Sequence, residues 1–124
     1  MNRILIIAGI FFMGCKTDPI VKPQPVIEIS TPTNNQHFVV GDTIRITGTV
    51  THVMALTEVA VHMTDQTTKL EFFHNHFSAG NSTSYTFNAK YGIPNNVKSS
   101  FQLEVEATDK DGNVATKELL IQVN

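Results

Sequence analysis

The chain has 124 residues, with 9 Lys plus Arg against 11 Asp plus Glu and a formal net charge of −2. That is enough for one small domain beyond any leader, and the scattered lysines form no basic stripe able to displace counterions, which argues against a nucleic-acid partner. The single cysteine leaves an intrachain disulfide without a partner, and the absence of tryptophan argues against a stacking platform for sugars or bases.

Met1-Asn2-Arg3 is a short positive start, followed by an unbroken apolar run over 4–13 and then Gly14-Cys15. This is the pattern of a secretory leader. A bilayer-spanning helix needs about 20 apolar residues, and Lys16, Thr17, Asp18 and Pro19 end the run before that. The segment Phe12-Met13-Gly14-Cys15 resembles the lipobox of bacterial lipoproteins, in which a small residue precedes the cysteine that is acylated. Phe12 and Met13 are larger than the residues usual at those places. The resemblance implies a signal peptide over 1–14, a fatty-acyl group such as palmitate on Cys15, and a mature chain outside the cytoplasm. Its expected address is a bacterial membrane, with the outer membrane or cell surface foremost. Residues 15–25 then read as a tether, because Pro19, Pro23 and Pro25 fix φ and withhold amide donors.

From residue 26 the pattern is β. A short strand is expected over 26–29, ended by Pro32 and Asn34-Asn35. After Gly41-Asp42, the residues Ile44, Ile46, Gly48 and Val50 alternate with Thr43, Arg45, Thr47 and Thr49, the period of a half-buried strand. Further strands are expected over 56–63, with Val59, Val61 and Met63 on one face, over 69–74, and over 83–89 after the turn signals Gly80-Asn81-Ser82. Phe101, Leu103, Val105 and Ala107, then Leu119, Ile121 and Val123, form a hairpin around Asp109-Lys110-Asp111-Gly112-Asn113. About seven strands separated by turns predict an all-β antiparallel sandwich over 26–124.

Several segments also resemble bacterial immunoglobulin-like domains. They are Pro25-Val26-Ile27-Glu28-Ile29, Gly41-Asp42-Thr43-Ile44 with Gly48-Thr49-Val50, Leu56-Thr57-Glu58-Val59, Ser84-Tyr85-Thr86-Phe87, and the run from Glu106 to Asn113. The likeness spans 25–124 and is nearest to single-domain, lipid-anchored lipoproteins of uncharacterised function. It implies an immunoglobulin-like fold and a binding or structural role at the cell envelope, with a protein or glycan as partner.

His74-Asn75-His76 is the sharpest chemical feature of the domain. Residues two apart on a strand share a face, so both imidazoles can approach one Zn²⁺ or Cu²⁺ ion. A third ligand is needed. His62 is the natural choice if its strand pairs with theirs, and Glu71, Glu104 and Glu106 are further donors. A metal-binding lipoprotein using His62, His74 and His76 is therefore the alternative to a module with no cofactor. Parity leaves the direction of these histidines open. If Leu70 and Phe72 face the core, His74 and His76 follow them inward; if Phe73 and Phe77 do, both face solvent, and a bulge near Phe72-Phe73 reconciles the apolar residues with exposed histidines. His37 and His52 read as loop or strand-end residues without a role.

The acidic turn has oxygen ligands at alternate positions, but its glycine comes fourth and Leu120 stands where a calcium loop needs glutamate. A hairpin turn held by Asp and Asn side chains, with Gly112 at positive φ, accounts for it. Asn81-Ser82-Thr83 matches a glycosylation sequon but reads as a turn. No Gly-x-Ser-x-Gly elbow, phosphate-binding glycine loop or His-Glu-x-x-His helix occurs in the chain, so a non-catalytic protein is expected.

Overall fold

The computed structural model describes residues 22–124; the expected leader, Cys15 and most of the expected tether lie outside them. The described residues form six strands and no helix: β1 (Val26–Thr31), β2 (Gln36–Phe38), β3 (Thr43–Asp65), β4 (Glu71–Gly92), β5 (Ser100–Asp109) and β6 (Val114–Val123). They join in one sheet of order β1-β3-β5-β6-β2, with β4 paired to β3 outside that path.

The alternation seen in the sequence builds the core. Ile44, Ile46 and Val50, then Val59, Val61 and Met63, are fully buried along β3, as are Leu103 and Val105 on β5 and Ile121 on β6. All belong to one apolar cluster together with Phe87 of β4. Burying such side chains stabilises the fold by roughly 1.5–3 kcal/mol each, and among the described residues no buried side-chain polar atom lacks a partner.

Two expectations need correction. The strands expected over 44–50 and 56–63 are one strand, β3, and those over 69–74 and 83–89 are one strand, β4. The break signals bend these strands instead of turning the chain back. On β3 the register is interrupted between Thr51 and Leu56, and on β4 Gly80 and Asn81 take φ of 63° and 58°. Each long strand therefore serves two limbs that share a core. In the first limb, residues 43–51 of β3 lie between β1 and residues 84–92 of β4; in the second, residues 56–65 lie between residues 71–82 of β4 and β5, followed by β6 and β2. The sheet is also not wholly antiparallel, because β2 pairs with β6 in parallel, His37 facing Gln122. A three-residue strand has too few positions to show a period in sequence.

A joint holds the limbs together at the bend. His52, whose side chain is 1% exposed, meets Asp109 at the end of β5 with Nε2 to Oδ2 at 2.9 Å. Asp109 Oδ1 accepts from the amides of Asp111 and Asn113, and its Oδ2 also accepts from Asn113 Nδ2. With the Lys110 amide on the Ala55 carbonyl and Gly112 at φ 81°, this is the hairpin turn the sequence suggests. Both oxygens of Asp109 are committed to protein donors. Those bonds outweigh its burial and hold its carboxyl down at about 2.

Candidate metal centre

Because β3, β4 and β5 are in register, the outward side chains of the second limb form a grid. His62 lies between His74 and Glu104, and Glu104 faces Glu118. In the next row Ala60 lies between His76 and Glu106; beyond it Glu58 lies between Ser78 and Thr108. Ala60 is 2% exposed. It forms the floor on which the larger neighbours stand.

A bulge completes this face. Met63 pairs with Phe73 but Thr64 pairs with Glu71, which leaves Phe72 as an extra residue on β4. Both phenylalanines then pack against the core, where Phe72 contacts Phe101 with ring centroids 4.6 Å apart. The open parity question is thereby settled: His74 and His76 are exposed. The bulge also brings Glu71 to the histidine face, where strict alternation from Phe73 would turn it inward.

Glu71 bridges two histidines. Its Oε1 is 2.7 Å from His74 Nδ1, and its Oε2 is 3.5 Å from His62 Nδ1. These contacts, led by the hydrogen bond from His74, hold the Glu71 carboxyl below its ordinary range. His76 Nδ1 is 2.6 Å from Glu58 Oε1. The His62 and His74 rings meet edge to face with centroids 4.2 Å apart; His74 and His76 are 4.0 Å apart, and His62 and His76 6.0 Å. On the other flank, Glu104 is raised above its ordinary value, first by burial and then by Glu118 opposite it.

The sequence-derived triad of His62, His74 and His76 is thus reunited on one face, but the donors that converge differ. His62, Glu71 and His74 each offer a ligand atom within 4.8 Å of the other two, and so do His62, Glu104 and Glu106. His76 joins neither group. Of the further donors expected, Glu71, Glu104 and Glu106, sequence spacing alone does not favour Glu71, because three residues apart on a regular strand means opposite faces. An apolar recess elsewhere, lined by Leu70, Phe72, Tyr91, Val97 and Phe101, has Asp65 as its one acidic group, and the Oδ1 of that carboxylate accepts from the Thr67 and Thr68 amides and the Ser99 hydroxyl.

No curated protein matches the sequence. Among solved structures, the superoxide reductase (neelaredoxin) of Ignicoccus hospitalis is similar at 12% identity and a TM-score of 0.53, over 82% of this chain and 80% of that one. A variant of the same reductase gives 12% identity and 0.54, over 84% and 83%. At this identity the likeness shows the fold alone. Murine CRIg is similar at 10% identity and 0.46, over 82% and 97%. A family model described as a domain of unknown function, DUF4625, matches residues 13–124, and the chain belongs to that family.

Proposed function

We propose that the chain is a non-catalytic binding module of immunoglobulin-like sandwich architecture, held outside the cytoplasm on a bacterial membrane by a lipid on Cys15. The observation that carries the binding role is the outer face of the second limb, where three histidines and five glutamates (58, 71, 104, 106 and 118) gather on one patterned surface. Such side chains do nothing for the core, which lies on the other side of the sheet. The anchoring role is supported by the leader pattern and by Gly14-Cys15. Two limbs around one core support the sandwich reading. The chain enters this body at β1, which pairs with the first limb, so the anchored end and the histidine face belong to different limbs. The partner of this face is an envelope component, protein or glycan.

Labelled fatty acid should enter the wild-type chain in bacteria and not Cys15→Ser; equal labelling of the two overturns the anchor. For the binding face, envelope material captured by the wild type in a chelating buffer should be lost with Glu106→Lys. Capture that this charge reversal leaves unchanged assigns binding to another surface.

A further inference from the structure

We propose that the outer face of the second limb holds one divalent transition-metal ion, Zn²⁺ or Cu²⁺, through His62, His74 and Glu71. The proposal rests on the reading of this face as the binding surface and names its ligand.

Three features carry it. The donors come from two paired strands whose register puts His62 directly opposite His74, and the Phe72 bulge turns Glu71 toward both. Their ligand atoms lie within 4.8 Å of one another. Ligands about 2.0–2.2 Å from a tetrahedral ion are roughly 3.4 Å apart, so small side-chain rotations close the set. His74 and Glu71 are 42% and 47% exposed, which leaves them free to make those rotations; His62, at 16%, is the fixed member.

The donor chemistry selects the ion. Two imidazoles with one carboxylate suit zinc or copper, whereas calcium and magnesium take oxygen ligands. His76 is 4.0 Å from His74 between ring centroids, with its Nδ1 held by Glu58, and flanks the set without belonging to it. The neighbouring carboxylates Glu104 and Glu106 add negative potential that favours a cation. They also form the competing set around the same His62. One imidazole shared by both sets predicts one ion per chain.

The test is calorimetric titration of the full chain in detergent with ZnCl₂ and then CuCl₂, in a Cys15→Ser background so that the thiol cannot ligate. One ion should bind per chain with a Kd below about 10 µM for at least one metal, an affinity of roughly −7 kcal/mol. His74→Ala and His62→Ala should each weaken it at least about 30-fold, and Glu71→Gln about 10-fold. His37→Ala, on β2, should leave it unchanged. Urea unfolding of each variant checks that the fold persists, and His74→Ala, at an exposed site, decides the matter if His62→Ala unfolds. A Kd above about 10 µM for both metals, or one that His74→Ala leaves unchanged, overturns the proposal. Envelope capture in chelator and labelling of Cys15 are unaffected by that failure, so metal binding and the module reading fail separately.

Discussion

β3 and β4 run through both limbs, yet the two limbs present different outer faces. In the first, Arg45, Thr47, Thr49 and Thr51 face Lys90, Asn88, Thr86 and Ser84; in the second, Glu58, Ala60, His62 and Thr64 face Ser78, His76, His74 and Glu71. Their inner faces are alike, with Ile44, Ile46 and Val50 in one and Val59, Val61 and Met63 in the other. The inner alternation is what the fold requires. On the first outer face, β-branched threonines suit a pleated surface and pair across strands, so β-propensity accounts for the choice. Glutamate is disfavoured in strands, and a face where glutamates bracket three histidines calls for chemistry that propensity does not supply.

Substitutions that act on one limb or on the joint test this division. The largest effect is expected inside the first limb, at Gly48. A Cβ there would lie 2.2 Å from the Glu28 carbonyl oxygen of β1 and 2.4 Å from Phe87 Cζ. Gly48→Ala should therefore displace β1 or the Phe87 ring and cost about 3 kcal/mol, the upper part of the range for overpacking, read as a lower urea midpoint. A shift under about 0.5 kcal/mol, typical of surface substitutions, would mean that β1 does not dock as closely as the register of Ile29 on Gly48 requires.

The joint should come next. Asp109→Asn keeps the shape but replaces an acceptor oxygen, among four donor groups, with an amide. The urea midpoint at pH 7 should fall. The Asp109 carboxyl lies at about 2 when folded against 3.8 ordinarily, so its contribution is complete above about pH 4 and is lost as pH falls toward 2. The gap between wild type and variant should close across that window. A gap that stays constant from pH 5 to pH 2 would remove Asp109 as the acid-sensitive part of the joint.

Much of the inner architecture is legible in the sequence. The period-two runs at 44–50, 59–63 and 101–107 bury the residues they predict, because hydrophobic alternation is a local signal of a global constraint. The bends are legible as places but not as shapes. Gly80 and Asn81 do adopt positive φ, yet whether such residues reverse a strand or bend it depends on what pairs alongside. His52, read from the sequence as a loop or strand-end residue without a role, is instead an interior residue of β3 with a buried side chain, because the strand runs on past Val50; its partner Asp109, 57 residues away, cannot be read locally. For the candidate metal face, His62, His74 and His76 are recoverable from same-face spacing and strand pairing. Glu71 is legible only as one further donor among three, and what singles it out is the one-residue bulge at Phe72, which spacing alone does not fix.

The smallest and most discriminating effect is expected at Glu118, on the acidic flank of the second limb. Glu104 is pushed above its ordinary 4.5 by burial first and by Glu118 second. A carboxyl raised on folding favours the native state while protonated, so this contribution is present at low pH and is lost as pH rises from about 4.5 through the raised value. Glu118→Gln leaves the burial and removes the facing carboxylate. The variant should thus lose less stability than the wild type over that rise, with a urea midpoint modestly higher at pH 7. Repeating the comparison with saturating ZnCl₂ separates the two flanks. An ion on His62, His74 and Glu71 leaves the Glu104–Glu118 pair across the strand, and the benefit of Glu118→Gln should persist. An ion drawn instead to His62, Glu104 and Glu106 would offset the carboxylate repulsion itself, and the benefit should vanish.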